Sequence, residues 1–549
     1  MSKIIYEINL ESFGLSKSPV VLNIAPLATT NRFRLIDCSR YIREKTLSVH
    51  EFSDFPVVSS YSAISYVWQG NAVDETTNIG PRFCVAGAED GDPIGVDVLS
   101  HACTAALREG AEYVWLDRLC IIQTCKEDKR WQIERMFDIY KRCKLCLVLP
   151  GGIQRLVGLE EHTTWINRGW TLQETLAPPR VEVIYLWKLG SGMYYRDGGG
   201  RGDIVELVPG ESAMTSISTL FSLHSSTKPA NFFPSASASH TTFRTEIFGA
   251  PKSNTASSTV LEQTTEVAVF LLKDALVNIN DKASFEERAP AIWRCALIRA
   301  SSRPVDMVFS IMGLFGVTLD THRFHKNDRL GATIALMQEI LNSGRQASWL
   351  GVAPYLPANP YLSTFPVFPR TNVQGQVLFE PDSLETRKER EKHRRRAILD
   401  VRRLALPTGS MSNDGYLRIK RKAIQVYSQF DIKELDIDEG LDDSRLASGS
   451  SDHFNFRAIN GTDWTGKVKE GQDNSPKAHA VLLGFYNEFS DQGIWMGPRH
   501  IEALLVKEHA PSKFHVESSF ELSSRLEFWV EGWGEQELQI GGPRRWSKT

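Results

Sequence analysis

Long apolar runs are missing from this 549-residue chain. The stretch from Val267 to Leu272 is typical, against the ~20 residues that span a bilayer, so no membrane-crossing helix is expected. The first residues, MSKIIYEINLESFGLSKSP, carry Glu7 and Glu11 and no continuous apolar segment, so no secretory signal is expected either. Neither sign of charge is in excess. Lys+Arg 63 against Asp+Glu 66 gives −3 and a pI near 6.5, which points to no nucleic-acid partner and no membrane surface. Cysteine is scarce: eight residues are too few for a disulfide scaffold. Cys143 and Cys146 form a C-x2-C pair with Cys120 and Cys125 upstream. They lead into or sit within apolar segments, so buried free thiols are the expected reading and no metal site is assigned. The chain therefore reads as soluble, reduced and cytoplasmic.

Familiar catalytic signatures are missing too. No G-x-S-x-G elbow, H-E-x-x-H helix or kinase set occurs. Gly461-Thr-Asp-Trp-Thr-Gly466-Lys467-Val468 has phosphate-loop spacing, but Val468 stands where a Ser or Thr must reach Mg²⁺, and no apolar helix follows. Arg201-Gly202-Asp203 carries no adhesion meaning in an intracellular chain.

What is present is alternation between two periods. Tyr61 to Trp68 is β-rich and ends at Gln69-Gly70, residues 95–108 look helical, and Tyr113 to Leu116 is a short strand ending at Asp117. Ile133, Met136, Phe137 and Tyr140 mark one face of a helix, followed by the strand Leu145 to Leu149 and the stop Pro150-Gly151-Gly152. Thr163 or Thr164 is placed to cap a helix running to about Leu176, before Pro178-Pro179, and Val181 to Leu186 is the next strand. Such alternation predicts a mainly parallel sheet covered by helices. Length allows roughly three to four domains. The order expected is an N-terminal extension (1–54), an α/β domain (55–190), a Ser/Gly-rich insertion or linker (191–262), a helical region (263–360), a charged linker (361–410) and a β-rich C-terminal domain (411–549).

Three segments in the α/β unit resemble the fungal heterokaryon-incompatibility (HET) domain family. Tyr61-Ser-Ala-Ile-Ser65-Tyr66-Val-Trp68 with Gly70 is like its "AxSYxWG" strand. Trp115-Leu116-Asp117-Arg118-Leu119-Cys120-Ile121, with Gln132, Met136 and Ile139-Tyr140, forms the second. Trp165-Ile-Asn-Arg168-Gly-Trp170-Thr171-Leu172-Gln173-Glu174 is like "WxxRxWTxQE". Arg303-Pro-Val-Asp306 through Gly313-Leu314 echoes an element that often follows. Gln69 before Gly70, Arg118 where many relatives have a small residue, and Ile122-Gln123 depart from the pattern.

The resemblance implies a role in self/non-self recognition and programmed cell death, and a TIR/flavodoxin-like α/β sheet, since HET domains look distantly like TIR domains. Several TIR domains cleave NAD at the nicotinamide–ribose bond with a glutamate four residues after a tryptophan, the spacing of Trp170 and Glu174. The same resemblance implies Glu174 as the catalytic group of an NAD nucleosidase, with Ser65, Trp68, Asp117, Arg168 and Trp170 binding. NAD would be a substrate, and no cofactor is required. A carboxylate there suits the oxocarbenium character that builds as nicotinamide departs. The alternative is a non-enzymatic scaffold that signals by self-association or by binding another signalling protein. Ordinary packing also accounts for tryptophans in such a unit, and Asp117 at a strand end is equally a loop cap.

Overall fold

The computed structural model describes residues 2–14, 19–55, 60–73, 80–196, 200–224, 229–235, 240–249, 265–278, 285–352, 356–368, 370–371, 377–378, 405–428, 455–466, 477–486 and 500–543. The chain divides into two compact units, Met1–Asn280 with Ile298–Arg329 and Arg370–Glu380 in one, and the remainder in the other.

In the first unit, every residue of the strand Tyr61–Tyr66 is buried. A strand enclosed on both faces belongs in the middle of a parallel sheet with helices above and below. Tyr61–Tyr66 pairs in parallel with Tyr113–Trp115 on one side and Cys146–Leu149 on the other, and Val181–Leu186 continues beyond Cys146–Leu149. Numbered along the chain, these four strands lie in the order 2-1-3-4. The order reverses beside the first strand, and a crevice opens at the carboxyl ends where chains diverge at such a point.

Helix Val96–Arg108 buries Val98, Leu99, Ala102, Ala105 and Ala106, and helix Lys126–Arg142 buries Met136, Ile139 and Tyr140. The Tyr140 hydroxyl donates to the Ile64 carbonyl at 3.0 Å, tying the second helix to the central strand. Each buried Leu, Ile or Val here contributes roughly 1.5–3 kcal/mol.

Within 61–186 the pairing in this sheet is parallel as expected, but the sheet does not end there. Among the described residues it has twelve strands, and only the three pairings just named are parallel. Ser2–Asn9, Thr46–Phe52 and Phe33–Asp37 extend one edge antiparallel, so residues from the expected N-terminal extension take three places in the sheet. Ser212–Ser216, Gly200–Val208, Gly192–Arg196, Ala230–Pro234 and Thr241–Phe243 extend the other, all antiparallel and all from the segment expected as an insertion or linker. Short connections permit only antiparallel return, whereas a parallel neighbour needs a helical crossover; the helix-bearing stretch 61–187 is where the crossovers are.

A second difference concerns the helix expected from Thr163 or Thr164. Trp165–Asn167 forms one 3₁₀ turn, Arg168 is extended, and the α-helix is Trp170–Leu176. Arg168 forms an isolated parallel bridge with Ala300; the Gly169 N–H donates to the Ala300 carbonyl and the Ala300 N–H to the Asn167 carbonyl, both at 2.8 Å. Two long-range backbone bonds hold Arg168 out of helical geometry. The buried Arg299 guanidinium reinforces the crossing by donating to the Ile166 carbonyl (2.5 Å), the Arg168 carbonyl (3.1 Å) and Thr171 Oγ1 (2.8 Å).

The second unit takes two of the expected helices, Phe285–Leu297 and Arg329–Asn342 apart from its first residue. Its strands Tyr416–Ser428, Ala478–Tyr486, His500–Ala510, Lys513–Ser523 and Glu535–Gly541 pair in a closed ring, which removes the free edges an open sheet would leave. Phe456, Trp464, Ile501, Leu505, Phe520, Val530 and Trp533 are among its core. The segment SRLEFWVEGW alternates as a strand should, yet Glu527–Glu531 is helical. Val530 is buried in the core and Leu526 and Trp529 pack against it, with Trp533 just past the helix also in the core; residues 526, 529, 530 and 533 recur at helical spacing. The charged run Thr386 to Arg403, and Lys467 and Val468 of the rejected phosphate loop, lie outside the described residues.

Candidate functional site

The turn after the first parallel strand must pass very close to the loop that follows the third. A β-carbon at Gly70 would stand 2.0 Å from the Gly151 carbonyl oxygen, so only glycine fits. The Asn71 N–H donates to that same carbonyl at 2.8 Å. With the turn anchored, Tyr66 and Trp68 project from the carboxyl end of their strand toward Asp117, which follows the neighbouring strand. The Tyr66 hydroxyl donates to Asp117 Oδ1 at 2.5 Å and the Trp68 indole to Oδ2 at 2.8 Å. Gln123 Nε2 donates to the Asp117 carbonyl at 2.8 Å. Asp117 is therefore more than a loop cap: it locks two aromatic side chains in place.

Behind this loop lies a buried ion cluster. Arg34 is bidentate on Asp128 (3.1 Å to each oxygen) and also reaches Glu51 Oε2 at 3.3 Å and the Cys120 carbonyl at 3.0 Å. Asp128 in turn accepts the N–H groups of Ile122 (2.9 Å) and Asn31 (2.8 Å). The segment Asp117–Gln123 is thereby tied to the strand Phe33–Asp37 and to the helix that begins at Lys126.

These residues enclose a cavity of about 200 Å³ lined by, among others, Tyr66, Trp68, Trp115, Asp117, Tyr140, Arg168, Trp170 and Glu174. Glu174 is partly buried. Ser65 Oγ donates to its Oε2 at 2.5 Å while accepting the Trp165 indole N–H at 2.8 Å. Burial pushes the Glu174 carboxyl up to about 7, against the opposing pull of the Ser65 hydrogen bond and of Arg168. Arg168 Nη1 donates to the Tyr66 carbonyl at 2.7 Å. The Trp170 indole points to Asp306 Oδ2 at 3.4 Å, and burial raises Asp306 as well.

Five of the six residues singled out in the sequence thus share one cavity: Trp68, Asp117, Arg168, Trp170 and Glu174. Ser65 does not line it. It is fully buried and stands behind Glu174, where it orients a carboxyl oxygen rather than touching a ligand. Trp115 and Trp165 are core residues, although Trp115 also reaches the cavity wall. Ser301, Ser302, Arg303 and Asp306 complete the wall from a distant segment, brought in by the pairing at Ala300, and Lys129 and Asp90 add to it. The Arg303–Asp306 element was visible as a family echo; Lys129 lies four residues before Ile133 on the same helix face, and that spacing is the signal that could have found it. All eight cysteines are free, and Cys120, Cys143 and Cys146 are buried. Among the described residues no cluster of His, Cys, Asp and Glu suits a metal, and no helix is long and apolar enough to cross a membrane.

Comparison with known proteins agrees with this part of the chain. Residues 61–161 match the family model described as heterokaryon incompatibility protein (HET). Vegetative incompatibility protein HET-E-1 of Podospora anserina is 27% identical over 101 residues, 17% of this chain and 7% of that protein. The aligned part is thus a small fraction of that relative's length. No solved structure matches. Arg168, Trp170 and Glu174 follow the matched stretch and share its cavity. The parallel strands that begin at Tyr61, with the Tyr66–Asp117–Trp68 lock between them, fall in the stretch 61–161 that matches the HET family model, and it is this part of the chain that is similar to a HET domain.

Proposed function

We propose that this protein acts in heterokaryon incompatibility and triggers programmed cell death by hydrolysing NAD at the nicotinamide–ribose bond, with Glu174 as the catalytic group. One observation carries the reading. Glu174, the glutamate four residues after Trp170, sits on the wall of a cavity at the carboxyl ends of the parallel strands, with its carboxyl titrating near neutrality. Acids whose environment moves them toward working pH are characteristic of catalytic sites.

In the reaction the C–N bond between ribose and the pyridinium breaks. Its electron pair passes to the ring nitrogen, so nicotinamide leaves neutral and the ribose acquires oxocarbenium character. The Glu174 carboxylate stabilises that charge. Water then adds to the ribose carbon and gives its proton to Glu174, leaving ADP-ribose. The indoles of Trp68 and Trp170 offer flat apolar walls for the nicotinamide ring. The cavity volume, about 200 Å³, is below the roughly 300–1,000 Å³ of most small-molecule pockets, so it holds one end of a dinucleotide.

The test is total cellular NAD after induced expression of the full chain, wild type beside Glu174→Ala at matched protein level. A fall with the wild type alone is expected; loss of one acid–base group typically costs about 10²–10⁴ in rate. Unchanged NAD in both, with cells still dying, would favour a non-enzymatic reading in which the domain assembles with copies of itself or with another signalling protein. One observation points that way. Met193 and Phe233 are paired across neighbouring strands and Tyr195 is two residues on, and all three are exposed (51%, 44% and 47%).

A further inference from the structure

Charge within the cavity is divided. Glu174 and Asp117 lie beside Arg168 at one part of the wall, while Lys129 and Arg303 enter from a helix and a loop that neither parallel strand supplies, with the carboxylates of Asp90 and Asp306 also on the wall near them. Lys129 belongs to the first turn of helix Lys126–Arg142 and is half-buried; Arg303 is exposed at the rim. Among the described residues neither side chain has a hydrogen bond or an ion pair within 4.0 Å, although other cations of this unit are paired, Arg34 with Asp128 and Arg155 with Glu161. The two cations also act on each other: after burial, Arg303 is the main influence lowering Lys129. Ser301 and Ser302 place two hydroxyls on the same wall. Neither of the nearby carboxylates, Asp90 and Asp306, comes within ion-pair distance of these two cations, so both keep donors free toward one small space with hydroxyls beside them, and a phosphate supplies both the charge and the acceptor oxygens.

We propose that Lys129 and Arg303, with Ser301 and Ser302, form a subsite for the phosphate next to the ribose of a pyridinium nucleotide, so that the unit recognised is nicotinamide mononucleotide. The proposal rests on reading the cavity as a nicotinamide site. It follows from the geometry in two steps. The small cavity takes one end of a dinucleotide, and Lys129 and Arg303 line the same cavity as Glu174. The phosphate on the ribose 5′-oxygen is the anion nearest the bond that breaks. The second phosphate and the adenosine lie outside and contribute less.

Binding to the full chain is measured by calorimetry in a Glu174→Gln background, which prevents turnover. Nicotinamide mononucleotide, nicotinamide riboside, NAD and inorganic pyrophosphate are the four probes. Mononucleotide and NAD are expected to bind within a few-fold of each other, and riboside at least about tenfold more weakly. Adding Lys129→Ala and Arg303→Ala should bring the mononucleotide down to the riboside level while riboside binding stays unchanged, which also reports an intact fold. Lys129→Arg should keep the preference. Equal binding of mononucleotide and riboside would overturn the phosphate subsite and leave the nicotinamide reading standing. Pyrophosphate binding that depends on Lys129 and Arg303, with no nicotinamide compound bound, would overturn the nicotinamide reading and with it the ligand assigned. Absence of binding by all four would overturn both.

Discussion

Replacing Glu174 with glutamine should stabilise the protein, and only above acidic pH. The amide keeps the shape of the carboxyl and an oxygen to accept the Ser65 hydroxyl, but it cannot ionise. In the folded chain burial raises the Glu174 carboxyl from 4.5 to about 7. The folded state therefore binds this proton more tightly than the unfolded state does. Stability from Glu174 is full below about pH 4.5, falls as pH rises toward about 7, and is flat above. A difference of about 2.5 units at ~1.36 kcal/mol each sets the loss at about 3 kcal/mol, an upper value because the carboxyl is partly accessible. Wild type and Glu174→Gln should match at about pH 4.5, and the variant should lead by up to about 3 kcal/mol at about pH 8. Hydrogen–deuterium exchange of peptides covering Tyr61–Tyr66 and Cys146–Leu149 reads this directly, because those strands are released only when the unit opens. Exchange there should slow by about a hundredfold in the variant at the higher pH. Equal exchange in the two proteins at every pH would refute the argument: Glu174 would then be no better shielded from water than an ordinary surface acid.

Two further outcomes follow from the same geometry. The proposed hydrolysis uses Glu174 as a carboxylate, and burial pushes that carboxyl up to about 7, so on this proposal NAD turnover at limiting substrate should rise about tenfold from about pH 6 to about pH 8; a rate that falls over this range would assign Glu174 the role of an acid. Asp128→Ala should destabilise the first unit by about 3–5 kcal/mol, since it leaves Arg34 buried with a lost partner and frees the Ile122 N–H. Urea unfolding checks this, and a cost below about 1 kcal/mol, the scale of an exposed pair, would show that the cluster does not pin the Asp117 loop.

The parallel centre of the fold was legible because its strands and helices differ in period, and because the site's aromatic and acidic residues lie close in sequence to strand ends. Trp170 and Glu174 could be placed together from a spacing of four, although the helix that carries them begins six or seven residues later than its apparent cap. That shift was hidden because its cause is Ala300, far along the chain. Arg303, Asp306 and Ser301 reach the cavity through the same pairing, whereas Lys129, four residues before Ile133, lies on the same helix face as Ile133, Met136 and Tyr140 and lines the cavity with them. Ser65 illustrates a different limit. Sequence placed it at the site but could not tell a ligand contact from a hydrogen bond to Glu174, because both call for the same hydroxyl. The antiparallel additions at each edge of the sheet were invisible for a topological reason: short alternating strands look alike wherever they pair.

The departures from the family pattern turn out to act on one another. Gln69, the extra residue before Gly70, donates from Nε2 to the Asp90 carbonyl at 2.9 Å. Arg118, which replaces a small residue, is fully buried and donates to the Asp92 carbonyl at 2.5 Å and the Ala88 carbonyl at 3.1 Å. Its guanidinium also lies 5.7 Å from the centre of the Trp68 ring, within cation–π range. Both side chains therefore hold the same loop, Ala88 to Asp92, whose Asp92 bonds in turn to the Trp68 carbonyl and the Gly70 N–H, each at 2.7 Å. The longer turn and the large cation form one clamp that brings Asp90 to the cavity wall. A small residue in place of Arg118 would remove half of that clamp and leave Gln69 as the side chain holding Asp90 at the wall.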